Sequence, residues 1–185
     1  MYLCICASGD RIPPLVLSTQ RNSIEVFQIG IRKNVDLHLK IVPSAYVTEE
    51  VFYEYIDTIF IPFVRMQRIR FSLHTEKAVL LMDNFSAHFS QRIMDLLGNM
   101  NIQVIKFPQH TAHILQMLDL VTFGIMKIKT PQYKKSKDLS PAAEHIYKLY
   151  KAFEEATVSS SVRAAFVRAG FVYNSTQIKT TSSWF

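Results

Sequence analysis

The stretch Lys77-Ala-Val-Leu-Leu-Met82 constrains this chain more than any other, because it is apolar without alternation, has the length of a strand, and stops abruptly at Asp83-Asn84. A strand with no polar face must be covered on both sides, as a central strand of a layered α/β domain is. The surrounding sequence supplies covering helices. Val51, Phe52, Tyr55, Ile56, Ile59, Phe60 and Phe63 recur in pairs every four residues, behind Thr48 as an N-cap and Glu49 and Glu50 in the first turn. Pro62 is expected to kink or restart that helix, since its ring collides with the carbonyl four residues back. A helix over about 90–97 is expected to stop at Gly98-Asn99 through a left-handed cap. Residues 102–107 read as a second strand closed by Pro108, and Leu118, Val121, Ile125 and Ile128 as a helix with Asp119 near its first turn. Ser140-Pro141 opens another helix with Ile146, Leu149, Tyr150 and Phe153 as its apolar stripe, and a last one runs over about 160–169 to Gly170.

The front of the chain reads differently. Residues 2–7 and 12–18 are β-prone runs around Ser8-Gly9-Asp10-Arg11, the turn chemistry of a hairpin. Residues 23–29 are expected to add a short extended segment and 37–41 a strand. The order is therefore mixed α/β with early antiparallel pairing.

A chain of 185 residues, 49% hydrophobic and 19% charged, suits one domain with a real core, and 12% aromatics with 5 Gly exclude collagen-like and disordered classes. Apolar stretches break long before the roughly 20 residues of a membrane span. Met1 is followed by Tyr-Leu-Cys-Ile-Cys-Ala without a basic flank, a poor signal peptide, so a cytosolic or nuclear protein is expected. Cys4 and Cys6, two apart on one strand, point to the same face and are expected to be free thiols, and their spacing is not that of a zinc site. Residues 1–100 carry 10 Lys and Arg against 10 Asp and Glu, whereas 101–185 carry 11 against 5, so the whole net charge of +6 is C-terminal. Lys127, Lys129, Lys134, Lys135 and Lys137 lie in an acid-free stretch and are either a phosphate-contacting footprint or a solvated helix end and loop.

Asp83 ends a buried strand and Asp119 opens the helix after the next one. In an open α/β sheet, ligands collect at the carboxyl ends of strands, so both carboxylates can reach one crevice. Paired carboxylates suit Mg²⁺, which takes oxygen ligands and completes its shell with water and substrate phosphates. Two such ions about 3.5 to 4 Å apart would support phosphodiester cleavage. Spacing alone equally allows Asp83 to start a turn and Asp119 to stabilise a helix N-terminus.

The words around these residues resemble a known family. Leu80-Leu-Met-Asp-Asn-Phe-Ser-Ala-His88 resembles the second catalytic-aspartate motif of DDE-superfamily transposases of the pogo/Tigger branch of the mariner group. Phe107-Pro-Gln-His-Thr-Ala-His-Ile-Leu-Gln-Met-Leu-Asp-Leu120, continuing into Phe123-Gly-Ile-Met-Lys127, resembles its third-aspartate segment. Ser8-Gly-Asp-Arg-Ile-Pro-Pro14 is similar to its hairpin, and Val162-Arg-Ala-Ala-Phe-Val-Arg-Ala-Gly170 to its C-terminal helix. The resemblance implies an RNase H-like fold with a mixed sheet flanked by helices, in which Asp83 and Asp119 are the second and third catalytic and metal-binding acids. Asn84 and His88 share the first motif, Gln116 matches the usual Gln, Met117 stands where the family has Pro, and His110 and His113 lie in the same loop.

In that family the first catalytic Asp sits on the strand before the hairpin that here begins at Tyr2, and Asp10, Glu25 and Asp36 do not match its place. The implied architecture therefore lacks the first, central strand and carries extra C-terminal helices. Residues 1–130 would form a partial DDE catalytic domain, and 131–185 a basic linker and helical extension of it. The implied function is nuclear: DNA binding with Mg²⁺- or Mn²⁺-dependent phosphodiester cleavage and strand transfer, defective because the first Asp is absent and metal binding is weakened. DNA is the implied partner, with a homodimer or another chain completing the sheet. The alternative is a non-enzymatic, transposon-derived module that binds nucleic acid or protein.

Overall fold

The computed structural model describes residues 1–83, 89–108, 111–134, 138–174 and 177–180. The opening hairpin forms. Tyr2 and Leu15 exchange backbone hydrogen bonds (2.7 and 3.0 Å), and Cys6 N–H donates to Asp10 O (2.9 Å) across the turn, where Gly9 takes a φ of 95°. Between the two pairings Pro13 and Pro14 turn their carbonyls away, to the Tyr55 hydroxyl (2.8 Å) and the His38 N–H (2.9 Å). Regular pairing starts only beyond them, where β1 (Leu15–Ser18) runs parallel to β2 (His38–Ile41) in the register Leu15 to His38.

The extended segment expected over 23–29 is instead a 3₁₀ helix, Arg21–Ile29, ended by Gly30 at φ 92°. The reason is spacing by three. Ser23 and Val26 are both fully buried while Ile24 is 55% exposed, and a 3₁₀ turn eclipses positions i and i+3, whereas a strand would have buried alternate residues. Parallel strands also need a crossover, which this helix supplies.

Helix α1 (Glu49–Tyr55) starts at Thr48, whose hydroxyl accepts from Val51 N–H (3.4 Å). It continues through a π turn, Ile56–Phe60, into α2 (Ile61–Arg70). Pro62 explains the π turn: without an N–H it cannot bond the carbonyl four residues back, and the ladder widens just before it.

Strands β3 (Ala78–Met82) and β4 (Ile102–Lys106) pair in parallel, Ala78 to Ile102, joined through α3 (Gln91–Asn99). Ser90 caps α3 by accepting from Ile93 N–H (3.4 Å). The left-handed residue after α3 is Asn101 (φ 52°), not Gly98 or Asn99. Asn101 tolerates that conformation, and its carbonyl accepts from Ala78 N–H (3.1 Å) and Arg68 (3.0 Å), which joins the helix exit to β3.

The chain continues with α4 (Ala112–Leu115), a π turn over Leu118–Thr122, α5 (Phe123–Lys129), α6 (Pro141–Ala156), α7 (Ser159–Arg168), and an antiparallel pair, β5 (Phe171–Asn174) with β6 (Gln177–Thr180). At the start of α6, Ser140 N–H donates to the Glu25 carboxylate (2.8 Å), so the acid on the 3₁₀ helix caps α6 in place of the Ser140 side chain. Three buried clusters organise the packing. One lies between α1, α2, α3 and one face of β3 and β4; the second joins β2, the 3₁₀ helix and α6; the third joins α7 and the Leu118–Thr122 turn to Leu81 and Phe107. Instead of one mixed sheet, the described strands form three two-stranded sheets. No helix of the described residues is long and apolar enough to cross a membrane.

Candidate functional site

Parallel pairing puts the carboxyl ends of β3 and β4 side by side, with Met82 opposite Lys106 and Phe107 N–H donating to Met82 O (2.9 Å). Asp83 follows immediately and is exposed. Asp119 lies in a turn whose apolar residues pack with Leu81 of β3 and with Phe107 after β4. Its neighbours Met117, Leu120 and Val121 lie in the cluster that also holds Leu81 and Phe107, while Asp119 itself is exposed in the first turn of Leu118–Thr122. Asp119 N–H donates to Gln116 O (3.0 Å), which fixes the start of that turn. Met117, where the resemblance has Pro, is 7% exposed and packs with Val162 and Phe166, so a buried thioether anchors the turn that a ring would have stiffened.

The other acids of the first forty residues are engaged elsewhere. Asp10 accepts from the Ser8 hydroxyl (2.6 Å) and Arg70 (3.0 Å), and these two bonds hold its carboxyl below the usual range although burial opposes them. Glu25 caps Ser140, and Asp36 is bidentate to Arg32 (2.9 and 2.6 Å). Among the described residues no three His, Cys, Asp or Glu side chains come together as a metal cluster. Asp83 and Asp119 are oxygen donors of the kind that a hard divalent ion takes.

Sequence reasoning missed two cations stacked on aromatic rings, one of them at the strand ends. Lys106, opposite Met82, lies over the Phe89 ring (3.8 Å to the centroid), and Arg92 lies over Tyr53 (3.6 Å). The signal was present in the strand pattern, since a lysine closes an otherwise half-apolar strand one residue before Phe107. Of the five C-terminal lysines, Lys127 and Lys134 are exposed, Lys129 is paired with Glu155 (2.9 Å), and Lys135 and Lys137 lie outside the described residues. Asn84, His88 and His110 also lie outside them, as does the side chain of His113.

Cys4 and Cys6 are both free. Burial, then the neighbouring Cys6, pushes the Cys4 thiol up to about 12, which makes it a packing residue and not a nucleophile. A cavity of about 140 Å³ lined by Arg11, Asp36, Tyr150 and Phe153 lies away from the strand ends. Its charges are already paired, Arg11 with Glu154 (3.2 Å) and Asp36 with Arg32, so it offers no unspent chemistry.

No curated protein matches the chain. A family model described as DDE superfamily endonuclease matches residues 1–169. That match spans the hairpin, both strand ends and α7, and the chain belongs to the DDE superfamily endonuclease family.

Proposed function

We propose that this chain is a transposase-derived DDE domain of the pogo/Tigger branch, RNase H-like in fold, that acts on DNA in the nucleus. In this reading Asp83 and Asp119 hold one Mg²⁺ or Mn²⁺ at the carboxyl ends of β3 and β4. The family generally uses divalent metal ions and implies DNA as substrate or partner. A bound divalent ion polarises a phosphodiester and neutralises its charge. The chain's own groups do the rest: Asp83 and Asp119 orient the oxygen shell, while Lys106, Lys127 and Lys134 offer exposed cations to the phosphate backbone. Cleavage by two metals needs a further carboxylate, and Asp10, Glu25 and Asp36 are held by other partners. The observation that carries this reading is the shared cluster of Leu81, Phe107, Met117, Leu120 and Val121, which brings the Asp119 turn onto the strand ends. The engagement of Asp10, Glu25 and Asp36 with partners of their own favours a binding role over catalysis.

The test combines DNA-binding anisotropy with a nicking assay. Binding is expected to be salt-dependent and to tighten with Mg²⁺ in the unaltered chain, and not to tighten in Asp83→Ala or Asp119→Ala. Replacing Lys127, Lys134, Lys135 and Lys137 with Gln lowers the salt slope by about 0.9 for each phosphate that is no longer neutralised. A chain that does not bind DNA overturns the reading. Mg²⁺-dependent nicking that Asp83→Ala abolishes would replace the defective domain with an active endonuclease.

A further inference from the structure

Helix α2 buries one face and leaves the other bare. Ile61 and Val64 lie in the core cluster shared with α1 and α3, whereas Met66 is 55% exposed, Ile69 69%, Phe71 41% and Leu73 44%. Pro62, Met66 and Ile69 follow one another by four and three, the spacing of a single helical stripe. The exit of the helix keeps Leu73 close to it. Ser72, at φ 55°, donates its N–H to Ile69 O (3.2 Å), and Leu73 N–H reaches back to Arg68 O (2.8 Å), so the chain folds over the last turn instead of leaving it. Single exposed apolar side chains are ordinary, but several gathered on one face mark a contact surface.

The flanks of the stripe are cationic. At about 100° per residue, Arg65 falls on one side of Met66 and Ile69, and Arg70 on the other. Residues 61–75 include three Arg and neither Asp nor Glu. Arg70 is paired with Asp10 (3.0 Å) and lies 5.0 Å from the Phe71 ring. The other two meet neutral acceptors among the described residues: Arg65 the sulfur of Met100 (3.5 Å), and Arg68 the carbonyls of Met100 (2.8 Å), Glu76 (3.2 Å) and Asn101 (3.0 Å). Glu76 and Asn101 stand just before β3 and β4. The bare face therefore lies at the opposite end of the parallel pair from Asp83, about 17 Å away along strands of this length.

We propose that this face of α2 docks an acidic amphipathic helix of a partner protein. From Pro62 to Leu73 the stripe is about 17 Å long at 1.5 Å per residue, which takes three turns of a helix laid along it. Carboxylates flanking the partner's apolar positions then meet Arg65 and Arg70. Charge and polarity decide against other occupants. A two-fold pairing of this face with a second copy sets Arg65 and Arg70 against their own kind. A nucleic-acid backbone satisfies the arginines but leaves Met66 and Ile69 without apolar partners. The docking uses no residue of the metal or DNA reading, and its failure leaves that reading untouched.

A yeast-displayed library of helices of about 15 residues tests it on the full chain. Leu is fixed along one stripe of each helix, and the flanking positions vary among Glu, Lys and Ser. Selection at physiological salt is expected to enrich Glu at the flanks. The selected helices are expected to bind Met66→Ser/Ile69→Ser about tenfold more weakly. They are also expected to lose binding to Arg65→Glu, on which their Lys-flanked counterparts recover it, a reversal that misfolding does not produce. The altered side chains are exposed, so both variants are expected to melt with the unaltered chain in circular dichroism. Enrichment of Lys or Ser flanks, the absence of any enrichment, or helices that bind all three chains alike overturns the proposal. Duplex DNA that displaces the helix, and whose own binding is lost in Arg65→Glu, assigns the surface to nucleic acid and overturns it too.

Discussion

His38 shows how one residue couples the fold to pH. Its ring is 7% exposed, with Nδ1 2.8 Å from Asn34 Oδ1 and Nε2 4.0 Å from the Glu54 carboxylate. Burial lowers its pKa below the ordinary value, Lys40 and Lys33 lower it further, and Glu54 only partly offsets them. The unfolded chain therefore takes up a proton first as pH falls below about 6.5, while the folded chain resists. Stability from this site is complete above that pH and declines below it until the lower folded pKa is passed. Urea midpoints between about pH 7 and pH 5 are expected to fall in the unaltered chain and to fall less in His38→Gln; equal slopes would contradict the assignment. None of this was legible from the sequence, because His38 looks like any strand residue until Tyr55 and α1 close over it.

Elements whose ends are set by local chemistry were legible, and those set by distant partners were not. Thr48 and Pro62 act on their own neighbours, so one cap and the interrupted helix could be read directly, whereas the side chain of Ser140, also read as a cap, makes no capping bond. The 3₁₀ helix depends on Ser23 being buried against Ser18 (hydroxyls 2.6 Å apart), which no local pattern announces. The exit of α3 depends on Arg68, which donates to the carbonyls of Met100 (2.8 Å) and Asn101 (3.0 Å) from another helix. The hairpin turn was readable, but its docking on α7 was not. A Cβ on Gly9 would lie 2.9 Å from Arg163 Nε, 3.1 Å from Ser159 Cβ and 3.2 Å from the Ser159 carbonyl, on a backbone already left-handed. Gly9→Ala is expected to cost of order 1–3 kcal/mol in urea unfolding. Gly98→Ala, in helix α3 with open space around it, is expected to gain up to about 1 kcal/mol. Similar effects at the two positions would contradict the close approach of the turn to α7.

At the scale of the whole molecule, β3 sits between the cluster of α1, α2 and α3, which takes Leu80 and Met82, and the cluster of α7 and the Leu118–Thr122 turn, which takes Leu81. Two strands read from the sequence, before Asp83 and before Pro108, pair in parallel as β3 and β4. The sequence reading expected one mixed sheet lacking its first, central strand, and the described strands pair separately as β1–β2, β3–β4 and β5–β6. The central claim is that two carboxylates, 36 positions apart in the chain, form one divalent-metal position. Paramagnetic broadening of backbone amide NMR signals during a Mn²⁺ titration tests it most directly. The account predicts that amides at Met82 and Asp83, at Phe107, and through Leu118–Thr122 broaden together, and that Asp83→Asn abolishes the effect at all three places. Broadening confined to other acidic positions such as Glu49 and Glu50 or Glu154 and Glu155, or broadening at one strand end that ignores Asp83→Asn, would contradict it.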